Sequence, residues 1–152
     1  MYLTVHSSAA LVIAKFIPNP LVAFIAGLAS HFVLDAIPHG DEHLMREHFP
    51  TWRNLRRPVG AAVIDGIVML FLLLIYVATT PLISYTTLGL TIAGAVLPDL
   101  LQAIYIVFKP SWLKWFYSFH LKIHNFTGHK IHWTQGLLVQ GMVLAACWLI
   151  VM

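Results

Sequence analysis

The stretch Val59-Gly60-Ala61-Ala62-Val63-Ile64-Asp65-Gly66-Ile67-Val68-Met69-Leu70-Phe71-Leu72-Leu73-Leu74-Ile75-Tyr76-Val77-Ala78-Thr79-Thr80 decides the fold. Crossing a hydrocarbon layer of about 30 Å takes roughly 20 mostly apolar helical residues. This run supplies them with a single charge, Asp65. After Pro81 a second run, Leu82 to Phe108, is as long, and Ile131 to Met152 forms a third. Towards the N-terminus, Leu3 to Ile17 and Leu21 to Ile37 are shorter and are separated by Pro18 and Pro20, which predicts a helical hairpin of short spans. The expected fold is all-α, a polytopic membrane helical bundle of about five spans.

Composition points the same way. Of the 152 residues, 59% are hydrophobic and only 10% are charged, and the mean hydropathy is +0.81. A soluble domain carries about 25% charge, so most of this surface must face lipid. No linker or low-complexity run divides residues 1–152, which read as a single integral membrane domain. Met1 to Phe16 has a histidine near its start and its only lysine near its end, unlike the basic start of a signal peptide, and is expected to be a retained helix. The single Cys147 excludes an internal disulfide.

The formal net charge of +3 is small, and the basic residues lie between apolar segments. That pattern favours membrane orientation over nucleic-acid binding. With five spans, the segment His39 to Pro58, bearing Arg46, Arg53, Arg56 and Arg57, and the segment Lys109 to Lys130 share the side of the N-terminus. Only Lys15 lies opposite. The positive-inside rule then places both basic loops in the cytoplasm of a multi-pass inner (plasma) membrane protein. Trp112, Trp115, Phe116, Tyr117 and Phe119 alternate with Lys114 and Lys122, which suits a segment lying in the headgroup region.

Asp35, Asp65 and Asp99 fall in or at the ends of spans. Each would cost about 2.5–3.5 kcal/mol at the centre of a lipid-facing helix, so each needs a partner or an interface. Asp65 enters its span by about 9 Å, and Asp99 lies about 25 Å along its own, so both reach the level of Asp35. His6, His31, His39 and the histidines from His120 to His132 fall at the same end of the bundle. The polar chemistry converges on one face of the bilayer.

The sharpest element is Gly27-Leu28-Ala29-Ser30-His31-Phe32-Val33-Leu34-Asp35-Ala36-Ile37-Pro38-His39-Gly40-Asp41. His31 and Asp35, at i and i+4, project from one helical face, and Gly27 one turn earlier permits close approach of another helix. Such a pair fits a metal site, where imidazole and carboxylate suit zinc, manganese or iron, and it equally fits a carboxylate that orients a ring. In the fourth span Thr91, Ala95, Asp99 and Gln102 share a face, with Pro98 beside the carboxylate. His120 and His124 are also spaced i, i+4, but within the aromatic-lysine segment they read as interfacial.

His6, the Gly-x-x-Ser-His-x-x-x-Asp-x-x-Pro element from Gly27 to Pro38, Leu97-Pro98-Asp99-Leu100, and Gly128-His129 ahead of a helix led by His132 together resemble the YdjM-like inner-membrane metal-dependent hydrolases. Here the Ser-His element precedes the Leu-Pro-Asp element, the reverse of the family's order. The resemblance implies metal ligands at His6, His31, Asp35, Asp99 and His132, with His129 nearby. It also implies a metal-dependent hydrolase; from the residues themselves, such an enzyme is expected to act at the cytoplasmic interface with a divalent transition metal, zinc foremost, and with the spare Asp65 or His39 as general base or acid. A site at the membrane surface suggests a membrane lipid, or another amphiphilic phosphoester, as substrate. The alternative is a non-enzymatic metal or proton carrier, or a haem-binding bundle.

Cysteines introduced at Thr51 and Ser118 test the orientation. Both are expected to resist an impermeant maleimide in intact cells and to react in inverted vesicles. Labelling of either from outside overturns the assignment.

Overall fold

In the computed structural model, residues 1–40, 52–81, 84–129 and 131–152 are described. Among them the chain is entirely helical. The helices are α1 (Leu3–Phe16), α2 (Pro20–Asp35), α3 (Trp52–Thr79), α4 (Tyr85–Phe108), α5 (Lys114–His124) and α6 (Trp133–Val151), with a 3-10 turn at Ser111–Leu113 before α5. Asp41 and Arg46, noted in the sequence, and the histidines His43 and His48 lie outside the described residues.

Three segments are long and apolar enough to cross a membrane: Pro58–Thr79, Tyr85–Phe108 and Trp133–Val151. The first two helices are shorter, at 14 and 16 residues, as the proline break predicts. Local chemistry sets the helix ends. Asn19 accepts hydrogen bonds from the Leu21 and Val22 amides while Pro20 occupies the first turn of α2, where a missing N–H costs nothing. Ser84 caps α4, and that helix ends at Lys109, whose φ of 49° is left-handed. Pro58 and Pro98 are accommodated within continuous helices.

The short α1 is the axis of the bundle. It packs against α2, α3, α4 and α6, and Thr4, Val5, His6, Ser7, Ser8, Ala10, Leu11 and Ala14 are all buried. Small side chains make this possible, because without a hydrophobic driving force in lipid, helices associate through close packing. Ser7 and Ser8 donate to the carbonyls of Leu3 and Thr4, one turn back, and so need no partner elsewhere. At one end of the bundle Leu11, Ala14, Tyr76, Leu88 and Val151 form an apolar core. Val63, Ile64, Ile67, Phe71 and Leu74 of α3 face outward, as lipid contact requires.

The tightest pairing is between α2 and α4. A Cβ on Gly27 would collide with the Thr91 carbonyl oxygen, and one on Gly94 with that of Phe24. The two backbones therefore touch, and this contact aligns the polar ends of both helices. Gly27→Ala should lower stability in detergent by about 1–3 kcal/mol, the usual cost of overpacking. Gly141→Ala, where a Cβ meets nothing within 4 Å, should not. Equal thermal midpoints for both variants and the parent would refute the close contact.

Candidate metal centre

At the end of the bundle opposite the apolar core, five imidazoles surround the carboxylate of Asp35. The side chain of Asp35 closes the last turn of α2 and is fully buried. His31, one turn earlier, lies with Nε2 2.9 Å from Asp35 Oδ2. From α5, His120 Nε2 lies 2.9 Å and His124 Nε2 3.0 Å from the same oxygen. From α1, His6 Nε2 is 3.2 Å from Oδ1. The α-amino group of Met1 donates to Oδ1 at 2.5 Å and stands 3.0 Å from His39 Nε2. On α4, Asp99 Oδ1 is 3.8 Å from His31 Nε2 and is the more exposed of the two carboxylates, at 22% against 0%.

Tautomers follow from the partners of the other ring nitrogens. His31 Nδ1 is 2.7 Å from the Ala95 carbonyl oxygen, and His39 Nδ1 is 2.6 Å from that of Ile37. A carbonyl only accepts, so each Nδ1 carries the hydrogen, and the neutral ring presents a lone pair at Nε2. His31 Nε2 faces an oxygen of Asp35 at 2.9 Å, with His120 Nε2 only 3.1 Å away. Acceptor atoms so placed repel one another unless a proton or a cation lies among them. A backbone carbonyl on the far nitrogen is also the usual support of a metal-ligating imidazole.

Spacing and burial agree. Bonds of about 2.0–2.1 Å from a metal to its ligands put neighbouring ligand atoms about 2.9–3.4 Å apart, from octahedral to tetrahedral geometry. The separations of 2.9–3.1 Å among His31, His120 and Asp35 fall in that range. Both nitrogens of His6, Nδ1 of His120 and Nε2 of His124 are buried with no hydrogen bond among the described residues. Burial holds the His120 imidazole below its ordinary pKa, with partial relief from Asp35, which favours the neutral, ligating form. His31, Asp35, Asp99 and His120 each offer an atom within 4.8 Å of the others, as do Asp35, His39 and His124. These residues could hold a metal ion.

Of the residues singled out in the sequence, His6, His31, Asp35 and Asp99 meet here, and His39 joins at the edge. Three do not. Asp65 accepts from the Leu3 amide at 2.5 Å, the Thr4 amide at 3.2 Å and the Thr4 hydroxyl at 2.5 Å, so it caps α1. His132 is exposed and caps α6 by accepting from the Thr134 amide, and His129 is exposed and donates to the Thr127 carbonyl. In their place α5 supplies His120 and His124. Their i, i+4 spacing was the available signal, and the surrounding lysines and aromatics masked it. Compared with family models, curated proteins and solved structures, the chain matches none.

Asp65→Ala would strand the first amides of α1 and should cost about 1–3 kcal/mol, read by thermal unfolding in detergent. An unchanged midpoint would remove Asp65 from this capping role.

Proposed function

We propose that the protein is a membrane-embedded metal-dependent hydrolase whose centre opens to the cytoplasmic face of the inner membrane and takes an amphiphilic phosphoester, such as that of a membrane lipid. The observation that carries the reading is the convergence of His31, His120 and His124 Nε2 on one oxygen of Asp35, with His31 held by the Ala95 carbonyl. The mixed imidazole and carboxylate donors suit zinc first, and manganese or iron after it. A bound ion would supply Lewis acidity and activate water at neutral pH.

The chain's own residues account for the rest. Asp99 is partly exposed and stands 3.8 Å from His31 Nε2, a position from which it can hold a proton beside the donor set. The Ser-His-x-x-x-Asp and Leu-Pro-Asp elements that carry the resemblance to the YdjM-like hydrolases come together at this point. The amphipathic character of α5 supports that substrate class. On α5, Phe116 and His120 are buried while Lys114, Trp115, Phe119 and Lys122 are exposed, and such a helix lies among headgroups.

Transport is the weaker reading. Polar groups at the opposite end are committed to backbone carbonyls, Lys15 to those of Ile150 and Val151, Thr79 to Ile75 and Thr87 to Pro18. A haem sandwiched by two histidines is disfavoured too, because neighbouring imidazole centroids lie only 4.1–5.1 Å apart.

Elemental analysis of protein purified without chelator or metal-affinity tag, beside a panel of phosphoester and ester substrates, tests the proposal. His31→Ala and Asp35→Asn should lose metal and turnover together while circular dichroism keeps its helical signal, and His132→Ala should keep both. Turnover by metal-free protein would overturn the mechanism.

A further inference from the structure

The imidazoles form an arc around Asp35. His6 and His31 stack with centroids 4.1 Å apart, His31 and His120 are 5.1 Å apart, His120 and His124 4.8 Å, and His124 and His39 5.1 Å. Five ring nitrogens and two carboxylates exceed what one ion takes. A zinc ion in a closed site binds four ligands, and in a catalytic site about three from the protein. The donors also divide by position. His31, Asp99 and His120 form one set with Asp35, while His39 and His124 form a second set with the same carboxylate.

Resting on the metal-centre reading above, we infer that the centre is dinuclear. One ion is held by His31, His120 and Asp99, a second by His39 and His124, and Asp35 bridges the two. A bridging role suits a carboxylate shared by both sets: His31 and His120 of the first and His124 of the second all have Nε2 within 3.0 Å of Asp35 Oδ2. Paired ions commonly stand about 3.5–4 Å apart, a distance one carboxylate spans.

His39 is built into place as a ligand rather than left at a loop tip. Its Nδ1 donates to the Ile37 carbonyl, which directs the Nε2 lone pair inward. Its own carbonyl accepts from Gln140 Nε2 at 3.1 Å, and Gln140 Oε1 accepts from the Tyr2 amide at 2.8 Å. A Cβ on Gly136 would collide with the His39 carbonyl, so α6 packs directly on this residue. The Met1 ammonium between Asp35 Oδ1 and His39 Nε2 shows that this edge accepts positive charge.

Metal-free protein in detergent, titrated with Mn(II) and followed by elemental analysis and electron paramagnetic resonance, decides the matter. The unmodified protein should bind two ions per chain and show an exchange-coupled signal. His39→Ala should bind one ion and show an isolated Mn(II) signal, while His129→Ala should behave as the parent. The measurement on the unmodified protein stands even where His39→Ala fails to fold. One ion per chain in both the parent and His39→Ala overturns the dinuclear inference, leaves the single-ion centre standing, and makes the Met1 ammonium the counter-charge at Oδ1. No bound ion in the parent overturns the metal reading itself, and the dinuclear inference with it.

Discussion

The carboxylate of Asp35 is the constraint around which this bundle is arranged. It is fully buried at the end of a short apolar helix, where an uncompensated negative charge costs several kcal/mol. Apart from His31, one turn away, what compensates it comes from other parts of the chain. Histidines arrive from α1, from its own helix, from α5 and from the segment after α2, and the Met1 ammonium reaches in as well. Because the donors are so widely separated along the chain, the site exists only when the whole bundle is assembled.

Packing makes that convergence possible. Glycines at positions 27 and 94 let α2 and α4 touch backbone to backbone, and that contact sets the Ala95 carbonyl against His31 Nδ1. A steric feature thereby becomes an electronic one, since the carbonyl selects the tautomer that directs a lone pair towards Asp35. On the other side, Asp65 fastens the first turn of α1 to α3 and so positions His6 one turn on. Asp65, expected as a general base or acid, is seen in the structure as the cap of α1.

The amphipathic α5 closes this centre at one end of the bundle. Its apolar and histidine-bearing face closes over Asp35, with Phe32 and Phe116 against the His120 ring, while Lys114, Trp115, Phe119 and Lys122 are exposed. Two of the nitrogens nearest Asp35 thus belong to an element that lies outside the long spans. A centre placed there lies at one end of the bundle, and the burial of Asp35 by the adjoining helices strengthens electrostatic interactions within it.

Periodicity and composition were enough to read the helical bundle, the short first hairpin and the gathering of acid and imidazole at one end. These depend on hydrophobic length and on helix direction, both of which are local quantities summed along the chain. The pairing of His31 with Asp35 was legible for the same reason, being one turn of one helix. Which other histidines join them was not legible. His120 and His132 look alike in sequence, each beside an aromatic residue near a helix, yet one is fully buried and the other exposed. The choice depends on how α5 folds back over the end of α2, a contact between residues some ninety positions apart along the chain. Asp65 shows the same limit in reverse: its place on the third helix was legible, but only the tertiary structure brings the free amides of α1 within its reach and makes it a helix cap.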